Sequence, residues 1–552
     1  MSRKKRNKHN SISQATPSHP QAPAAPAVRH RRQGINPVSL INFFYGGGGA
    51  YEAAGIGRVF KNWQYSQGVA DAEILGDLST LRERSRDLYR NNSIGRGVIG
   101  TMVTNVVGGG IKLQAAPDRA FLGMTDDFAE VWEDNVERKF HNWSSSKNSD
   151  AARSATFYDL QSLAFLSYCH SGEIFVLLPI LERNGKNQLC VQLIEADLVQ
   201  NSPGQFTNRF CRDGIEVDEY GAPLAYNIRT DTMSWTRVPA YGEKTGRPNV
   251  IHLFKQERPG QSRGVPMLSS VVENIKQADR GSKAVLAAMV VQSLFTAFIK
   301  SNNPHAIDPL IPGGANSPTS SSTLDDDDYD YTLAPGAVLK LKPEEDITFA
   351  NPSQPKSEFE SFMMAHLVWV GMATGIPYEI LSKKFLASYS ASRASRIEAW
   401  RFFLTERAKF NRDFNQAIYQ EWLTIEILEG RIPAPSFFAS DDMMQAYCRA
   451  EWLGSSMGQI DEKKEVEAAW ERVQRGFSTF TQETAAMNGG DFTRNAKRLK
   501  REAALIAPFM KTISEAEANQ AAPLPDSSDI GDDDGAQDAA GGATKQLEAS
   551  NV

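Results

Sequence analysis

Five residues, Gly454-Ser-Ser-Met-Gly458, spell the Gly-x-Ser-x-Gly pattern in which a strained strand-to-helix turn presents a nucleophilic serine. That geometry needs a strand before the serine, whereas residues 441–453 read as helix. A triad in that order also needs an Asp and then a His downstream, and no His follows His366. The segment is therefore expected to be a helix–helix turn with a glycine cap. The run Asp325, Asp326, Asp327 and Asp328 offers carboxylates of the kind a two-metal phosphodiesterase uses. Its neighbours, Pro312-Gly-Gly and Ser317-Pro-Thr-Ser-Ser-Ser-Thr323, make it read as a solvated loop. Gly46–Gly49 and Gly55-Ile-Gly57 are not followed by Gly-Lys-Ser/Thr, so they make no phosphate-gripping loop, and no His-Glu-x-x-His is present. The cysteines Cys169, Cys190, Cys211 and Cys448 lie far apart, with no Cys-x-x-Cys spacing. They are expected to be buried, unreactive thiols of a chain made in a reducing compartment. No catalytic residue, metal ligand set or cofactor is assigned, and no enzyme activity is expected.

Charge is segregated along the 552 residues, although the net formal charge is only −6. Residues 1–33 hold eight Lys or Arg and no acid, whereas 515–552 hold nine Asp or Glu against one Lys. Both ends are too poor in apolar residues to order themselves. The basic end reads either as a nucleic-acid-binding arm or as a solvated tail. The longest apolar stretches, 285–299 and 362–373, are interrupted by polar residues and fall short of the ~20 residues a membrane helix needs. No membrane partner is expected.

The elements between the tails predict an α+β, mainly helical chain. Helix is expected over 71–107, running on past Asn91-Asn92, and then over 119–143 and 156–170. A β-rich block follows at 173–181, 188–194, 214–217, 225–229 and 252–254, punctuated by Asn184-Gly185. A long helix is expected from Pro266 to about Lys300, and then a Pro- and Gly-rich break with strands at 337–341 and 346–350. Helix resumes at Ser357 and stops at Gly375-Ile-Pro377. From Tyr378 to Glu429 there is no Gly or Pro, and Ile397, Trp400, Leu404, Phe414, Ile418 and Trp422 repeat at helical spacing. Taken as helix, 391–429 is roughly 58 Å long. Shorter helices are expected at 440–453, 459–475, 478–487 and 491–510.

The segment Gly375-Ile-Pro-Tyr-Glu-Ile-Leu381, followed by Ala387-Ser-Tyr-Ser-Ala-Ser-Arg-Ala394, resembles the lambda-type portal protein family of tailed bacteriophages. Asp87-Leu-Tyr-Arg-Asn-Asn92 with Val106-Val-Gly-Gly109, His252-Leu-Phe254 with Arg258-Pro-Gly-Gln-Ser-Arg-Gly264, and Ala334-Pro-Gly336 with 347–352 match it in the same order. The resemblance implies a portal fold: an α+β wing and crown, a two-helix stem, a small β-containing clip, and a long helix behind a tunnel loop. It divides the chain into a basic arm (1–35), wing (36–265), stem helix 1 (266–300), clip (301–352) and stem helix 2 (353–376). The tunnel-loop region (377–396), long helix (391–430), helical wing or crown (431–514) and acidic tail (515–552) follow. It implies a homo-oligomeric ring of about twelve subunits at one capsid vertex. Double-stranded DNA would pass through the ring, and terminase, head–tail connector, major capsid and scaffold proteins would be its partners. The virion would be its location, with assembly in the host cytoplasm. The alternative function is a DNA-binding capsid scaffold or nuclease that uses the basic arm.

Within this frame Lys383, Lys384, Ser388, Tyr389, Ser390 and Arg393 are the expected DNA-facing residues of the tunnel loop. Asp325–Asp328, Lys340 and Lys342 are expected to dock partners on the clip. Phosphate contacts accumulate around a ring, so a heavily basic collar would stall the duplex, and two lysines suit a low-friction one. Read without the family, the same loop is simply polar, with Ser390 or Ser392 capping the next helix.

Overall fold

The computed structural model describes residues 68–231, 233–293, 297–301, 345–349, 359–384, 388–458, 461–488, 490 and 492–520. The basic arm, most of the clip with Asp325–Asp328, Lys340 and Lys342, the strand expected at 337–341, and residues 521–552 lie outside them.

Helices α1 (Ala70–Ile74), α2 (Leu78–Asn91) and α3 (Ser93–Val106) open the chain. The single helix expected here is broken at Asn92, whose Oδ1 accepts from the N–H groups of Ile94 at 2.9 Å and Gly95 at 3.1 Å. Satisfying two orphan donors with one side chain favours a fresh N-terminus over an unbroken turn. The chain then enters strand β1 (Lys112–Ala115). Helices α4 (Arg119–Leu122), α5 (Asp126–Ser144) and α6 (Phe157–Ser171) follow, the last opened by a Thr156/Asp159 capping box.

The β-rich block contains β2 (Glu173–Leu177), β3 (Ile180–Arg183), β4 (Lys186–Leu189) and β5 (Gln192–Ile194). It continues through β6 (Cys211–Arg212), β7 (Ile215–Val217), β8 (Pro223–Asp231), β9 (Ser234–Pro239) and β10 (Val250–Phe254). Asn184 and Gly185, at φ +53° and +71°, make the left-handed pair that a two-residue hairpin between β3 and β4 needs. β2 lies between β10 and β5 in one antiparallel sheet, and β6 to β9 form a second in chain order.

Helix α7 spans Val272–Ser293, not the expected 266–300. Beyond it, β11 (Ala297–Ser301) pairs antiparallel with β12 (Glu345–Phe349), Ile299 facing Ile347. Lys300 thus belongs to a strand, because a cross-strand partner is available to it. Helix α8 (Phe359–Thr374) and the short α9 (Tyr378–Ser382) lead to α10 (Tyr389–Phe410). A π-helical turn at Asn411–Asn415 joins α10 to α11 (Gln416–Leu428). From Tyr389 to Leu428 the helix is about 60 Å long. It forms one wall of the main core, where Phe140 packs edge-on against Trp422 at 5.1 Å and Phe157 stacks on Phe414 at 6.0 Å. The π turn falls where buried Asn415 accepts from Gln161 Nε2 at 2.9 Å, a polar contact inserted into this apolar wall.

Helix α12 (Asp441–Cys448) is shorter than expected, because β13 (Ala450–Leu453) pairs antiparallel with β1. Helices α13 (Glu462–Gln474), α14 (Phe480–Asn488) and α15 (Phe492–Gln520) complete the described chain. The tail expected from 515 is therefore helical through Gln520.

Candidate DNA-channel segment

The reversal between α8 and α10 is built by its residue types. Gly375 takes φ +71°, and the Ile376 N–H reaches back to the Gly371 carbonyl at 3.2 Å, a six-to-one closure of the helix end. A Cβ on Gly375 would stand 3.1 Å from the Phe402 ring, so the glycine also permits close approach to α10. Ile376 is fully buried as an anchor, and Pro377 precedes α9. Helix α9 closes in the same manner around a lysine. Lys383 sits at φ +54°, and the Lys384 N–H bonds to the Glu379 carbonyl at 3.2 Å. For a residue with a Cβ this left-handed conformation costs about 1–2 kcal/mol. Glu379 also accepts from Ser395 Oγ at 3.1 Å, fixing α9 to α10.

The expected loop residues divide by what they touch. Lys384 forms an ion pair with Glu360 of α8, and the nearby ammonium holds that carboxyl below its usual range. Lys383 is exposed and has no ion-pair partner among the described residues. Ser388, and not Ser390 or Ser392, is the N-cap of α10, accepting from Ala391 N–H at 3.4 Å. Tyr389 and Ser390 therefore belong to the first turn of the helix, with Ser390 exposed. Arg393 lies 3.8 Å from Glu465 of α13. Helix α9 ends at Ser382 and α10 begins at Tyr389, both inside the tunnel-loop region expected over 377–396.

Sequence reasoning missed two buried cationic sites, one on the segment leading into α7 and one on α10. Glu173 at the start of β2 is fully buried. Its Oε1 accepts from Arg82 of α2 and, at 2.7 Å, from Arg263 Nε. Its Oε2 accepts from His252 Nε2 and the Gly264 N–H, both at 2.8 Å. Arg263, also fully buried, further donates to the carbonyls of Val199 at 3.1 Å and Ala196 at 2.9 Å. The strand carrying Glu173 is thereby locked to the segment leading into α7. A Cβ on Gly264 would lie 2.1 Å from the Gly172 carbonyl oxygen, so the two backbones meet directly. Burial alone pushes the Glu173 carboxyl up, but Arg263, His252 and Arg82 outweigh it and hold the carboxyl well below its usual range. Burial pushes His252 down, so the ring is neutral and donates through Nε2. The second site is Arg407 of α10, which donates to the carbonyls of Asn105 at 2.6 Å, Val106 at 2.8 Å and Ser455 at 2.8 Å. It caps the C-terminus of α3 and stacks over Trp400. The only sequence signal for the first site was the block containing His252, Arg263 and Gly264.

The Gly-x-Ser-x-Gly pattern does follow a strand, β13, contrary to expectation. Helix α13 begins only at Glu462, so the strand-turn-helix elbow is not formed. All four cysteines are free and buried. Among the described residues no group of His, Cys, Asp and Glu is arranged to hold a metal ion, and no helix is long and apolar enough to cross a membrane.

Paired helices α7 and α8 beyond an α+β body, a tight reversal, and a long helix behind it make up the subunit of a phage portal. A family model described as phage portal protein, lambda family, matches residues 57–407, and the chain belongs to that family. It is 26% identical over 471 residues to the portal protein of Escherichia phage N15, covering 81% of this chain and 87% of that one. It is 27% identical over 475 residues to portal protein B of Escherichia phage lambda, with the same coverage of both chains. Among solved structures, a chain from the neck of an empty gene transfer agent particle aligns at 13% identity and a TM-score of 0.44. That alignment covers 74% of this chain and 92% of the other.

Proposed function

We propose that the chain assembles as a closed ring of about twelve subunits at one capsid vertex, around a channel for duplex DNA during packaging and ejection. The observation that carries this reading is the family match, which spans both stem helices and the reversal from α8 into α10. Apolar side chains exposed on the paired helices support it: Leu286 on α7, and Trp369 and Met372 on α8, are 63%, 51% and 79% exposed. Such faces mark interaction surfaces, and a head-to-tail ring interface covers them in every subunit at once.

In this reading 266–300 and 353–376 supply the stem, and 301–352 the clip. The clip docks terminase and the head–tail connector proteins through an edge bearing Asp325–Asp328, Lys340 and Lys342. Residues 377–396 narrow the channel. With Lys384 engaged by Glu360, Lys383 is the loop lysine that meets passing phosphates, one per subunit. Contacts that sparse let DNA slide. The chain is not itself an enzyme, and the work of packaging comes from a separate ATPase. Capsid and scaffold proteins surround the ring, which is built in the host cytoplasm and carried in the virion. Negative-stain images of the purified full chain should show closed rings viewed along their axis. A monodisperse monomer at every salt and protein concentration refutes the reading.

A further inference from the structure

We propose that the cleft between α15 and α5 is a second DNA contact, separate from the channel loop, which takes the phosphodiester backbone of a duplex. Helix α15 carries Arg494, Lys497, Arg498 and Arg501. Steps of three and four residues place all four on one helix face. With Lys112 of β1 and Arg138 of α5 they line a cleft of about 480 Å³. Only two carboxylates, Asp134 and Glu137, line it with them, so six cations less two anions leave a formal charge of +4 from the Lys, Arg, Asp and Glu side chains. This stands out in a chain whose net charge is −6.

The six cations are not equivalent. Lys497 lies 3.0 Å from Asp134 and 3.7 Å from Glu130, so it fastens α15 to α5. Arg498 and Arg501 are exposed and make no ion pair among the described residues. Their guanidiniums are suited to forked contact with phosphate oxygens. In the same lining, Tyr158 Oη lies 3.4 Å from His141 Nδ1, adding a polar pair beside the cations.

The linear layout selects a polymer over a small anion. From Arg494 to Arg501 the stripe runs about 10 Å along the helix. One strand of a duplex presents a phosphate every ~3.4 Å along its axis, so about three face the stripe in each subunit. Duplex DNA is the polyanion that the portal reading supplies, and the proposal rests on that reading. The acidic residues beyond Gln520 are the competing occupant. Apart from Asp532-Asp-Asp534 they are scattered through the sequence and do not repeat at phosphate spacing.

Full-chain rings are titrated with a mixed-sequence duplex of about 30 base pairs at rising NaCl. The double variant Arg498→Ala/Arg501→Ala should bind more weakly, and its slope of log K against log salt should flatten by about 2 per engaged subunit. Arg498→Lys/Arg501→Lys should keep the wild-type slope, which separates charge from packing. An unchanged slope in the alanine variant overturns the proposal. So does a slope that changes only once the chain is truncated after Gln520, which assigns the cleft to the acidic tail. Closed rings with an unchanged slope leave the portal reading standing, whereas wild-type chains that never form rings remove it and this proposal together.

Discussion

Replacing Glu173 with Gln preserves the side-chain shape and deletes one buried negative charge. Its two carboxylate oxygens accept four hydrogen bonds, from Arg82, Arg263, His252 and Gly264. An amide can accept at only one end, so its NH2 group must face donors on the other. Arg82 and Arg263 would be left with Asp197 and Asp213, whose side chains are 37% and 33% exposed and therefore screened by water. Removing one partner of a buried ion pair costs about 3–5 kcal/mol. Chemical denaturation followed by the fluorescence of buried Trp143 and Trp422 is the assay. The midpoint of Glu173→Gln should fall by the equivalent of that loss, and Asp213→Asn by much less. The acid side gives an independent check. The folded carboxyl of Glu173 titrates below its ordinary 4.5, so its contribution is present above pH 4.5 and is lost as pH falls below it. His252 is depressed from 6.5, so the unfolded chain takes up that proton first, and stability also declines as pH falls through 6.5. The Gln variant should lose the steep part below pH 4.5. A wild-type midpoint at pH 7 together with an unchanged acid limb would refute the assignment of Glu173 as the keystone of this cluster.

Arg407→Met leaves the carbonyls of Asn105, Val106 and Ser455 without their donor and should cost about 2–4 kcal/mol in the same assay. Burial already pulls the Arg407 pKa down to about 10. Arg407→Lys should recover only part of the loss, because an ammonium lacks the planar fork. Lys383→Gly should raise stability by about 1 kcal/mol by relieving the left-handed backbone, whereas Lys383→Gln should leave it unchanged. Both should reduce DNA retention in filled particles if the ammonium meets phosphates, and a less stable glycine variant would disprove the strain.

Much of the channel segment was legible from local chemistry. Gly375-Ile-Pro377 ends a helix where it was expected to, because positive φ and the missing proline donor act within a few residues. The apolar spacing after Tyr389 fixed a helix of about the right length, although the cap fell on Ser388, the first serine able to serve it. Asn184-Gly185 defined its hairpin for the same local reason. Tertiary structure decided the rest. Residues 450–453 carry a helical pattern but become a strand because β1 offers an antiparallel partner more than 300 positions away in sequence. Lys300 left its helix for pairing with β12. The Glu173 cluster draws on Arg82, His252 and Arg263, which share no spacing or periodicity, and only His252 and Arg263 fall in one sequence block. Local rules act through neighbouring backbone bonds and can be read in order along the chain. A buried charge is satisfied only by whatever the completed fold brings within about 3 Å of it, and no stretch of sequence carries that information alone.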